Sequence, residues 1–206
     1  MTLNRLFALG VLFAVSAGAE TFSFGVIGGA PFTDVVNSVT QNNVSYVANS
    51  TNFTVGPTFQ VNLPLSLRFE VDALYRPYSF LTQFVGPTTI LTGPNVSVMS
   101  TVTPTTASAS EWRFPFLLQY RFHTPIVKPF LEVGVSFDHL AAISQAAQNF
   151  GPINQSNAGV VVGGGVDVKI PFVRLSGELR YTHQGSAYFE GLSNVNQAEV
   201  LFGLHF

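Results

Sequence analysis

The charged residues of this chain fall on alternate positions of short apolar stretches, and a backbone that turns its side chains over at every residue is a β-strand. Between 65 and 76, Leu67, Phe69, Val71, Ala73 and Tyr75 alternate with Arg68, Glu70, Asp72 and Arg76. Between 111 and 122, Trp112, Phe114, Phe116, Leu118, Tyr120 and Phe122 alternate with Glu111, Arg113, Gln119 and Arg121, and between 173 and 182 Val173, Leu175, Leu179 and Tyr181 oppose Arg174, Ser176, Glu178 and Arg180. No comparable stretch has helical spacing.

The same period marks eight segments: about 21–29, 53–63, 65–76, 111–122, 127–139, 159–170, 173–182 and 197–206. Their connections alternate in length. Asn62–Leu65, His123–Ile126 and Ile170–Phe172 are tight and contain proline, while 30–52, 77–110, 140–158 and 183–196 are long and polar. An even-stranded up-and-down barrel with short turns at one end and long loops at the other has this order. The expected fold is therefore all-β, an eight-stranded antiparallel up-and-down transmembrane β-barrel.

Alternation alone leaves open a soluble lipocalin-like binder, which reverses the face that meets solvent. The charges argue against it. Arg68, Arg76, Arg113, Arg121, Lys128, Lys169, Arg174 and Arg180 all take the polar parity, as do Glu70, Asp72, Glu111, Glu132, Asp138, Asp167, Glu178 and Glu199. Glu20, Asp34 and Glu190 lie outside the strands. An equal and opposite set on one face suits a narrow, side-chain-filled lumen, because a buried charge must be paired or cost several kcal/mol. These residues are the predicted lumen charge network.

The compartment is read from the other end of the chain. Arg5, the apolar stretch Leu6–Val15 and the small residues Ala17-Gly18-Ala19 form a secretory signal layout, predicting cleavage after Ala19 and a single barrel domain over 20–206. Past that segment no apolar run is long enough for a spanning helix. With no cysteine to form disulfides and only 10% charged residues, against about 25% in soluble domains, the exported chain is poorly equipped to wet its outside. A formal net charge of -2 offers no basic field for nucleic acid. An exported membrane chain without a helix to cross with is expected as a closed barrel in a bacterial outer membrane.

At the last segment, Val200, Phe202, Leu204 and Phe206 alternate outward and end on an aromatic residue. This resembles the C-terminal recognition signal of bacterial outer-membrane barrels, which implies the barrel-assembly machinery as a biogenesis partner. The chain from residue 20 on is similar to the small barrels of the outer-membrane-protein-A and outer-membrane-protein-X type. Val55-Gly56-Pro57-Thr58, Pro129-Phe130-Leu131-Glu132-Val133-Gly134 and Glu178-Leu179-Arg180-Tyr181-Thr182 add to the likeness. The periplasmic peptidoglycan-binding domain of the larger members is not part of the expectation.

No catalytic site, metal site or cofactor is predicted. His123, His139, His183 and His205 are dispersed without metal-ligand spacing. Gly163-Gly164-Gly165 lacks the lysine spacing and helix of a phosphate-binding loop, and is expected to bend a strand or make room beside a bulky neighbour. His183, Ser186 and Glu190 bring a base, a hydroxyl and an acid close in sequence. The lipid A deacylases among small outer-membrane barrels place their histidine two residues before the serine, against three here. The leading functional expectation is a plugged barrel in contact with outer-membrane lipids, displaying external loops for structural or surface-interaction roles. The loop from Pro77 to Ser110 is its best candidate contact for an external ligand. A narrow small-solute pore and a lipid A-modifying enzyme are the alternatives.

Overall fold

The computed structural model describes residues 21–35, 38–41, 44–48, 53–84, 105–145, 153–189 and 193–206. The expected signal segment and Glu190 lie outside them. Eleven strands appear among the described residues: β1 (Phe22–Pro31), β2 (Val39–Gln41), β3 (Val44–Ala48), β4 (Thr54–Asn62), β5 (Leu67–Asp72), β6 (Leu74–Phe84), β7 (Thr105–Arg121), β8 (Val127–Ala141), β9 (Ser156–Ile170), β10 (Val173–Gln184) and β11 (Asn196–His205).

These make eight staves. β5 and β6 are halves of one strand interrupted at Ala73, where the neighbouring strands supply Pro57 and Pro115, residues without a ladder donor. The Ala73 amide still reaches the Pro57 carbonyl at 3.0 Å, so the register runs through the break. Each stave is antiparallel to its neighbours in sequence, and β1 pairs both β4 and β11. The sheet thus closes on itself, which leaves no unpaired edge in the hydrocarbon.

The reason for closure is visible in the parity. Phe24, Phe69, Trp112, Phe114, Leu131, Leu179 and Phe202 point outward and are exposed, whereas Arg68, Glu70, Glu111, Gln119 and Arg180 point inward and are buried. An exposed apolar face of this extent needs hydrocarbon around it. Tyr75 packs against Trp112 (ring centroids 5.3 Å apart) toward the loop end, and Tyr120 against Phe122 (5.2 Å) toward the turn end. From Trp112 to Phe122 a tilted strand at about 3.3 Å per residue rises roughly 25 Å, the height of an outer-membrane apolar band. The lipocalin-like alternative fails here, since its charges would face outward and its aromatics inward.

The strands outrun the sequence reading at the loop end. Strand takes up both ends of the expected loop 77–110, because β6 continues to Phe84 and β7 begins at Thr105, paired from Leu74↔Arg113 to Thr82↔Thr105, and the rest of that loop lies outside the described residues. The expected loop 30–52 contains the hairpin β2–β3, which extends the sheet through β3 beside β6. Above the hydrocarbon the outward face meets water and the inward face packs on an apolar cluster that includes Ala107, so the greasy-out, charged-in contrast is lost and runs such as Thr105-Thr106-Ala107-Ser108 read as loop, although threonine suits a strand.

Candidate functional site

The lumen is where the chain concentrates its polar chemistry, and the inward residues sort into layers along the barrel axis. At the centre Arg180 donates to four carboxylates: Glu178 at 2.8 Å, Asp72 at 2.9 Å, and Glu70 and Glu132 each at 3.2 Å. Gln119 donates to Glu70 and to Glu132, both at 2.9 Å, and Gln60 also donates to Glu70. Charge-assisted bonds of this kind are about twice as strong as neutral ones, and a planar guanidinium can hold several at once. Room for the cluster comes from glycine: a Cβ at Gly163 would strike Glu132 Oε1 and the Leu179 carbonyl, and one at Gly165 would strike the Gly177 carbonyl and Phe130.

Toward the loops, Arg113 pairs Glu199 at 2.5 Å, and Thr54 adds a bond to the same carboxylate at 3.3 Å. Asp138 accepts from Ser136 and Gln184. Arg76 donates to Gln197 (2.9 Å) and to the Thr33 carbonyl (2.6 Å). Above this layer Val35, Tyr78, Ala107, Ala109, Leu140, Tyr188 and Phe189 form an apolar cluster, with Ile143 and Ile153 packed against it. Tyr188 reaches inward to donate to Glu111 at 2.7 Å. Burial, and then the Glu111 charge, hold its phenol well above the usual range, so it remains a donor. Backbone bonds from Asn154 to Tyr188 and from Asn194 to Val35 tie the segments carrying this cluster together.

The short-turn end differs. Arg68 pairs Asp167 at 2.7 Å, donates its Nε–H to Gln119 Oε1 at 2.5 Å, and sits 5.3 Å from the Phe130 ring centroid. Arg174 donates to Ser23 and Gln60 and lies 3.8 Å from Asp167. His205 shares a 2.9 Å hydrogen bond with Ser176. Below these, Arg121, Lys128, Lys169 and Arg174 line a vestibule of about 510 Å³ together with Asp167 and His205. Every residue of the predicted charge network therefore has the lumen parity, but acids and bases are segregated along the axis instead of matched one to one.

The other candidates are placed as follows. His183 lies on the outward parity with its Nδ1 2.8 Å from Asn196 Oδ1, while Ser186 bonds Asn157 at 3.0 Å and accepts from Asn154 at 2.8 Å. The two side chains thus have different partners. Val200, Phe202, Leu204 and Phe206 share the outward face of the last strand and its end. Glu70, Glu132 and Glu178 bring carboxylate oxygens within 4.8 Å of one another, the grouping among the described residues best able to hold a cation, and Arg180 already bridges all three. Sequence reasoning missed the Arg180 hub because three of its four partners come from β5 and β8, far from β10 in sequence. It missed the apolar cluster because Tyr188 and Phe189 lie in a segment that reads as polar loop.

A closed eight-stave meander, apolar outside and charged inside, is the fold of an integral outer-membrane β-barrel. It is similar to the crystal structure of Neisserial surface protein A, with a TM-score of 0.54 and 19% identity over 91% of this chain and 97% of that one. At that identity the likeness concerns the fold. Neither a protein-family model nor a curated protein matches the chain.

Proposed function

We propose that this protein is a non-conducting surface barrel of the outer membrane, with a structural or interaction role carried by its external end. The observation that carries the reading is the Arg180 hub, in which one guanidinium and four carboxylates occupy the middle of a barrel barely wide enough for its own side chains. The apolar cluster around Tyr188 and Phe189 supports it from the loop side. Neisserial surface protein A, a surface protein by name, has the same architecture. Val200, Phe202, Leu204 and Phe206 are proposed as the feature read by the barrel-assembly machinery during insertion.

Planar-bilayer recording tests the proposal. The expected trace is a flat baseline after insertion of the folded chain. Steady unitary currents that change on Arg113→Gln or Glu178→Gln would overturn it in favour of a narrow small-solute pore.

A further inference from the structure

The vestibule at the short-turn end has a charge balance unlike the rest of the lumen. The only two lysines in the chain, Lys128 and Lys169, both line it, and Arg121 and Arg174 complete the ring. Among the described residues the one acid in that lining is Asp167, whose Oδ2 is held by Arg68 at 2.7 Å. Arg121 Nε and Arg68 Nη2 are buried nitrogens with no acceptor among the described residues. Arg68, Arg113 and Arg180, deeper in the barrel, make directed ion pairs, and the two lysines stand at the open mouth.

Like charges gathered in a concave, partly desolvated space repel one another, and an anion with several acceptor oxygens relieves that repulsion while satisfying spare donors. Apolar residues frame the opening. Phe22, Ile170, Phe172 and Phe206 line or border it and are exposed, Phe172 by 93%. By topology this rim faces the periplasm, at the depth of the inner-leaflet headgroups. A second hollow on the other side of Arg121 and Lys128, lined also by Ser66 and His123, makes the same cations reachable from the turns.

We propose that the periplasmic vestibule is a binding site for a phosphate group, held by Arg121, Lys128, Lys169 and Arg174. The phosphate belongs either to an anionic phospholipid headgroup of the inner leaflet or to a soluble periplasmic phosphate compound. The chemistry of recognition is the same: non-bridging oxygens accept from the arginine forks and the two ammonium groups.

The test uses the folded full-length barrel in a maltoside detergent, with a Lys128→Ala/Lys169→Ala double variant. Both lysines are exposed, so the variant is expected to keep the heat-sensitive gel shift of the folded barrel. One arm titrates inorganic pyrophosphate by calorimetry. The other follows retention of phosphatidylglycerol, against diacylglycerol as the uncharged control, by native mass spectrometry. Saturable one-to-one binding weakened about tenfold or more by the double variant is the expected result in at least one arm. Pyrophosphate binding identifies a soluble-phosphate site, and phosphatidylglycerol retention alone identifies a headgroup site. If neither probe binds one to one, or if the double variant binds as the parent does, the proposal is overturned.

Discussion

The two ends of the barrel are built from different materials. At the loop end, the cluster of Tyr78, Leu140, Tyr188 and Phe189 lies over a layer of directed pairs, Arg113 with Glu199 and Tyr188 with Glu111. At the turn end, cations outnumber acids around an open vestibule. Between them the balance reverses, with four carboxylates around Arg180. A lumen whose charges cancel in total can thus still carry an axial gradient, positive at the short-turn mouth and negative at the centre. On the proposed reading one end excludes water and the other meets it, so substitutions at the two ends should have different consequences.

The largest expected effect is at the hub that separates the ends. Arg180→Met leaves four buried carboxylates without their cation, and breaking a buried ionic group of this kind costs about 3–5 kcal/mol. The folded, fast-migrating gel band should be lost, or the urea midpoint of refolded barrel should drop sharply. Retention of both would show that the hub does not divide the lumen. Gly165→Val comes next, because its side chain would meet the Gly177 carbonyl and Phe130, and overpacking of this sort costs about 1–3 kcal/mol. Its urea midpoint should fall without change in the final gel mobility.

At the loop end, Tyr188→Phe removes the donor to Glu111 and should lower stability by about 1–2 kcal/mol in the same assay, with faster proteolysis of the segments around 153–189. An unchanged proteolysis rate would mean that the cluster is held without the tyrosine hydroxyl. The smallest effect is expected at the turn end, in the opposite direction. Leu65 and Ser66 have φ of 63° and 66°, a left-handed pair in the turn between β4 and β5 that favours Asn-Gly. Ser66→Gly should stabilise by up to about 1 kcal/mol, and a loss of stability would show that the Ser66 contact with His123 outweighs backbone strain.

How much of this was legible in the chain follows the physics of alternation. Where one face meets hydrocarbon and the other a charged lumen, as at Leu67–Tyr75 or Trp112–Phe122, parity assigns each side chain correctly and fixes the stave count. Above the membrane that contrast disappears, which is why β6 and β7 were expected to stop at Arg76 and start at Glu111. Axial position is also invisible to parity. It tells that Lys128, Arg180 and Asp138 face the lumen, but their distribution among mouth, hub and upper layer depends on strand register, which only the paired sheet supplies. The His183, Ser186 and Glu190 grouping illustrates the converse. Near in sequence, the two described members are apart in their contacts, His183 on the outer face beside Asn196 and Ser186 among Asn154 and Asn157.

On the proposed reading water enters the lumen at the short-turn end and does not pass Arg180. The chain has no cysteine, so single cysteines can report access directly. A charged thiol reagent should modify a Lys128→Cys variant rapidly in detergent-folded barrel and leave a Ser136→Cys variant, buried above the hub beside Asp138, protected until the protein is unfolded. Equal labelling rates at the two positions would mean a continuous water path past Arg180, and would contradict the account.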